Sequence, residues 1–190
     1  MRLLTLSLSF FVLVSALTNS LAQTAAPGSQ GAAANQSNPA PNPPTKTAQY
    51  GDWQLICRKP DTQTPQSCEL LQTVTVNGQK TPFAQIAIGK PQTSLPTQVT
   101  VVVVNNVSFP SSVRILVDEK DKTPTELSWA RCMPMGCFAS APLKDDLQKK
   151  WVALETQGRV IFKAGNGQDI VMPISFKGLK GALEALAKEK

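Results

Sequence analysis

The chain has 190 residues, a formal net charge of +6, four cysteines and no histidine. Its length allows one domain of ordinary size. The missing histidine excludes a Ser-His-Asp or Cys-His catalytic arrangement and any His-containing zinc site within this chain. The basic excess is modest and interspersed with acids, which reads as a solvated surface, and no nucleic-acid partner is expected.

Met1-Arg2 gives a short positive start, and Leu3 to Leu17 is a nearly unbroken apolar run. Ser20-Leu21-Ala22 then supplies small residues where a signal peptidase cuts, so the layout predicts a secretory signal peptide over 1–22. The run falls short of the roughly 20 residues of a spanning helix. No cysteine adjoins the cleavage site, which argues against a lipid anchor. Loss of Arg2 with this segment takes the charge from +6 to +5. No later segment is long enough to span a bilayer, so the mature chain is expected to lack a transmembrane segment. Residues 23–49 are rich in Ala, Asn, Gln, Ser and Pro and carry no acid. Such a stretch buries too little apolar surface to offset its ordering entropy, and a disordered linker is expected. The folded domain is expected over 50–190, where roughly 140 residues suffice for one core.

Within that domain the pattern is mostly of strands. One is expected over Asp52 to Cys57. Leu70 to Val76 and Phe83 to Ile88 alternate around Asn77-Gly78, a hairpin signal. Val99 to Val104 is β-branched and almost wholly apolar, as for a strand buried on both faces. Val113 to Val117 and Cys137 to Ala141 are further candidates. Val160 to Phe162 and Ile170 to Phe176 flank Gly165-Asn166-Gly167 as a second hairpin. Leu143, Leu147, Trp151 and Leu154 form one apolar stripe at helical spacing, and Leu179, Leu183 and Leu186 mark a short final helix. Many short strands with turns between them predict a mainly β fold, either a β-sandwich with one or two short helices or a small β-barrel.

Export to an oxidising compartment makes an even number of cysteines read as two disulfides. Cys57 ends one strand and Cys68 begins the next across a turn-rich loop, while Pro134 and Gly136 let the chain reverse between Cys132 and Cys137. Cys57 with Cys68 and Cys132 with Cys137 is the favoured pairing, and a link from Cys57 to Cys132 or Cys137 is the alternative. Chain-entropy arithmetic gives about 3 kcal/mol for the longer loop and about 2 for the shorter. The rivals are weaker. Four-coordinate zinc would require all four cysteines as thiolates, or carboxylates in place of two of them. Thiol redox catalysis favours a Cys-x-x-Cys at a helix start, and this spacing is longer and leads into a strand.

The ordered set Gly51-Asp52-Trp53, Cys57, Cys68, Gln72, Leu95-Pro96, Val117-Asp118, Arg131-Cys132, Gly136-Cys137 and Ser175-Phe176-Lys177-Gly178 resembles the invasion-associated locus B family of exported bacterial proteins. The resemblance covers nearly all of residues 50–190. One departure is that Asn105-Asn106 and Phe109-Pro110-Ser111 stand where the family usually carries a glycine-containing turn. The resemblance implies an immunoglobulin-like β-sandwich, a periplasmic or outer-membrane, surface-associated location and, in some members, a link to entry into host cells. It implies no catalytic residues, and none is assigned here to catalysis, to a cofactor or to a metal. Cys57, Cys68, Cys132 and Cys137 are carried over as structural positions, and Trp53 and Trp129 are expected to pack in the core, with a ligand surface at Gly51-Asp52-Trp53 and Trp129 as the alternative.

Two functions fit. One is a non-enzymatic envelope or surface protein that contributes to host-cell interaction through a protein or envelope partner. The other is a periplasmic binding or structural module with a housekeeping role. An enzyme is disfavoured. Asp145-Asp146 point about 100° apart on a helix and make no shared acid–base site, and Asp118-Glu119-Lys120-Asp121 reads as a charged turn. The bases over 144–150 and 177–190 are the candidates for peripheral contact with an anionic membrane or lipopolysaccharide.

Overall fold

A computed structural model describes residues 45–59, 61–75, 82–91 and 94–189. The expected signal peptide, most of the linker and the Asn77-Gly78 turn lie outside these residues. The elements in chain order are β1 (Lys46–Tyr50), β2 (Trp53–Arg58), β3 (Ser67–Val74), β4 (Ala84–Gly89), β5 (Gln98–Val103), β6 (Ser112–Leu116), β7 (Thr125–Met133), β8 (Gly136–Pro142), α1 (Asp145–Val152), β9 (Gln157–Lys163), β10 (Asp169–Ser175) and α2 (Leu179–Leu186).

The strands form one antiparallel sheet in the order β1-β2-β3-β4-β5-β8-β7-β6-β9-β10. The first five follow one another as neighbours. The chain then crosses through 104–111, and β6, β7 and β8 step back until β8 pairs with β5. After α1, β9 pairs with the free side of β6. β1 and β10 stand at opposite ends of this order and are not paired. The sheet is therefore open, which excludes the barrel alternative; the arrangement is mainly β and sandwich-like. The two ends of the sheet meet through side-chain hydrogen bonds and an Asp52–Lys177 backbone hydrogen bond instead of a ladder.

Alternation explains the inner face. Trp53, Leu55 and Cys57 of β2, Ile86 and Ile88 of β4, Val113 and Ile115 of β6 and Val160 and Phe162 of β9 all enter one contiguous core. Each fully buried aliphatic or aromatic side chain stabilises by about 1.5–3 kcal/mol. α2 lays Leu179, Ala182 and Leu183 into the same core against β1, β2 and β3. α1 buries Leu143, just before its first turn, and Trp151, whose ring lies 5.5 Å from that of Phe176. Asp145 and Asp146 occupy the first turn of α1 and Lys149 and Lys150 the last, in the sense the helix dipole favours.

Two expectations need correction. β5 is not buried on both faces: Val99, Val101 and Val103 are buried while Thr100 and Val102 are half-buried. An antiparallel sheet packs one face against the core, and only the outward Thr100 and Val102 of this β-branched run are there for strand propensity. Lys46–Tyr50, mostly assigned to the linker, is a strand paired residue for residue with β2. The turn between β7 and β8 joins two strands in the middle of the sheet order.

Candidate functional site

Two places gather the residues that the sequence singles out. The first is the turn between β7 and β8. Cys132 and Cys137 are directly opposite in the two strands and are bonded to each other, with Met133 facing Gly136 and Pro134-Met135 at the tip. Gly136 lies at φ 150°, and a Cβ there would stand 2.5 Å from the Val103 carbonyl oxygen. β8 thus begins so close under β5 that only glycine fits. A bulge between Trp129 and Arg131 re-aims the end of β7. Arg131 then lies over the Phe138 ring, 5.0 Å from its centroid.

Beside this turn is a cleft of about 410 Å³ lined by Asn105, Asn106, Val107, Phe109, Cys132, Met133, Pro134 and Cys137. Its rim is apolar and open: Phe109 is 60% exposed and Met133 42%, and Met135 at the tip of the adjoining turn is 76% exposed. Trp129 is half-buried, packed between Phe109 (6.0 Å) and Phe162 (6.5 Å). Asn106 explains the missing glycine of the β5–β6 connection. It takes φ 88°, a left-handed conformation that asparagine tolerates better than most residues. Its carbonyl accepts from Gly165 N–H at 2.9 Å.

The second place joins motifs far apart in sequence. Ser175 N–H donates to Gln72 Oε1 at 2.8 Å, and Gln72 Nε2 donates back to the Ser175 carbonyl at 3.1 Å. Trp53 Nε1 donates to the same carbonyl at 2.8 Å, and Ser175 Oγ donates to Asp52 Oδ2 at 2.6 Å. Asp52 N–H reaches the Lys177 carbonyl at 3.2 Å. Gly51 (φ 57°) and Gly178 (φ 80°) lie backbone to backbone here; a Cβ on Gly51 would stand 2.5 Å from the Lys177 oxygen, and one on Gly178 2.4 Å from the Tyr50 oxygen. Gly51-Asp52-Trp53, Gln72 and Ser175-Phe176-Lys177-Gly178 are therefore one clasp between the two ends of the sheet. Its hydrogen bonds are satisfied internally, which makes it a structural element and not a ligand surface.

The remaining sites resolve as follows. Cys57 and Cys68 are directly opposite in β2 and β3 and are bonded to each other. Their sulfurs lie within 4.8 Å of a Glu189 oxygen, but bonded sulfurs offer no thiolates to a metal. Lys150 is not a free surface cation, as its grouping with Lys149 suggested. Its Nζ lies 3.2 Å from both oxygens of Asp121, whose side chain is only 4% exposed. Asp121 also accepts from the backbone N–H groups of Val117 and Thr123, both at 3.1 Å. Reversing the charge of Lys150 would set two carboxylates together, so a test of anionic-surface contact belongs on Lys144 and Lys149.

Burial alone would raise the Asp121 pKa, but the Val117 and Thr123 N–H groups and the Lys150 ammonium outweigh it and hold the carboxyl below its ordinary 3.8. The stabilisation is therefore complete above that value and is lost as the pH falls through the folded-state pKa beneath it. Asp121→Asn is expected to lower stability near neutral pH by about 1–3 kcal/mol. It should also flatten the acid limb of a plot of urea midpoint against pH. An unchanged acid limb would assign that limb to another group.

Together these features define a mainly β domain carrying two cross-strand disulfides and a side-chain clasp between its sheet ends. The profile of the invasion associated locus B (IalB) protein family matches residues 53–187, and the chain belongs to that family. Among solved structures, the crystal structure of invasion associated protein b from Bartonella henselae is similar, with a TM-score of 0.63 and 18% identity over 75% of this chain and 95% of that one. At that identity the likeness is one of fold. No curated protein matches.

Proposed function

We propose that the protein is an exported, non-enzymatic component of the cell envelope or cell surface that acts by binding and contributes to host-cell interaction. The observation that carries this reading is the match to the invasion associated locus B family over 53–187. The bonded cysteines support export, because disulfides persist in oxidising compartments. No helix among the described residues is long and apolar enough to cross a membrane. Contact with the envelope would then be peripheral or through a partner.

Protease added to intact source cells is expected to cleave the protein before the outer membrane is opened. Full protection until the membrane is opened would remove direct adhesion and favour a periplasmic housekeeping module. A pull-down from envelope and host-membrane fractions then identifies the partner. The bait must begin ahead of Lys46, because a start at Tyr50 deletes most of β1.

A further inference from the structure

The two disulfides share a register but not an environment. Cys57 is fully buried and Cys68 half-buried. A carboxylate oxygen of Glu189 lies within 4.8 Å of both their sulfurs, and Lys46 pairs with Glu189 and anchors it there. Exchange begins when a thiolate attacks a disulfide sulfur, and the anchored Glu189 and Gln66, whose Nε2 lies 3.3 Å from Cys68 Sγ, restrict the approach to this pair. Cys132 is exposed, whereas Cys137 is 2% exposed. Among the described residues no Asp or Glu oxygen lies within 4.8 Å of both sulfurs of this second pair. Both cysteines line the open cleft beside the turn.

Asn105 adds a second asymmetry. Its Nδ2 donates to the Pro134 carbonyl at 3.2 Å, and its Oδ1 stands 3.5 Å from Cys137 Sγ. A disulfide sulfur has no hydrogen to offer that oxygen, but a thiol does. Reduction therefore adds a hydrogen bond where the oxidised form has only a contact.

We propose that Cys132–Cys137 is a thiol–disulfide exchange site for an external dithiol, while Cys57–Cys68 resists the same reagent. A thiolate of the dithiol bonds to Cys132 Sγ and the bond to Cys137 breaks. Its electron pair leaves on Cys137, which takes a proton and donates the new S–H to Asn105. The second thiolate then attacks the dithiol sulfur of the mixed disulfide, and Cys132 leaves and takes a proton. The dithiol loses two electrons and two protons to become a disulfide, and the protein disulfide gains them. β5 and the body of β7 hold β8 in place on either side, so reduction leaves the sheet and the Asn105 bond to the Pro134 carbonyl intact.

The test treats the folded, oxidised protein with dithiothreitol without denaturant, traps thiols with N-ethylmaleimide and maps the labelled peptides. Cys132 and Cys137 are expected to be labelled about tenfold faster than Cys57 and Cys68, with the far-ultraviolet circular dichroism unchanged. Simultaneous opening of both bonds, or opening only as the dichroism is lost, overturns the proposal. At equilibrium with dithiothreitol, Asn105→Ala should shift the Cys132–Cys137 pair about threefold toward the disulfide, the size of one modest hydrogen bond. Cys57–Cys68 serves as the internal control, and an unchanged ratio removes the role given to Asn105.

Discussion

Trp53→Ala is expected to destabilise the protein by about 3–5 kcal/mol, a large fraction of the stability of an ordinary domain. Two losses combine. The side chain is 0% exposed in the core beside Leu55 and Leu70, and truncating it opens a cavity. Its Nε1 also bonds the Ser175 carbonyl at 2.8 Å, so part of the link between the sheet ends goes with it. Trp53→Phe separates the two contributions. It keeps most of the apolar contact and leaves the Ser175 carbonyl with Gln72 Nε2 as a donor, so about 1 kcal/mol is expected from the lost hydrogen bond. Urea midpoints measure both. Equal effects for Ala and Phe would mean that packing at Trp53 contributes little.

Gln72→Leu should cost about 2–3 kcal/mol although leucine is apolar, of similar size and enters a site that is 7% exposed. The reason is the partner left behind: Ser175 N–H has Gln72 Oε1 as its acceptor. Gln72→Glu sharpens the test. An ionised carboxylate still accepts from Ser175 N–H but cannot donate to the Ser175 carbonyl, and it brings a charge into a buried site. A protonated carboxyl both donates and accepts, as the amide does. The Glu variant should therefore be weakest near neutral pH and recover relative to the native protein as the pH falls. A deficit independent of pH would show that the two hydrogen bonds are not what Gln72 contributes.

Much of the fold can be read locally because strands with a packed face alternate. Phe83 to Ile88 and Val113 to Val117 show this directly. β1 and β7 do not, for a physical reason. β1 buries no side chain fully, and β7 buries only Leu127 before its bulge breaks the alternation. β5 misled in the opposite sense, since Val102 and Val104 look like core residues and are half-buried and 44% exposed. The clasp lies beyond any local pattern, because Asp52 and Gln72 meet Ser175 across 123 and 103 residues. Those residues were visible as family markers, but not as mutual partners. The disulfide turn was legible in its chemistry and not in its setting. The spacing of Cys132 and Cys137 suggested the bond, whereas the exposed Met133 and Met135 and the Asn105 contact depend on a connection whose path no motif specified.

The clasp has a consequence for how the molecule meets its own copies. β10 is the last strand in the sheet order. Phe176 N–H bonds to the Thr156 carbonyl, so by antiparallel alternation the peptide groups of Asp169, Val171, Pro173 and Ser175 face away from β9. An outward row of that kind is a template on which another chain can add a strand. Here Pro173 has no N–H to offer, and the Gln72 amide occupies both backbone groups of Ser175. That leaves Asp169 and Val171, two residues with a charged side chain between the hairpin tip and the proline. At the opposite end β1 is five residues long and begins with Lys46. A sheet that never closes on itself therefore offers another chain little free ladder at its β10 end.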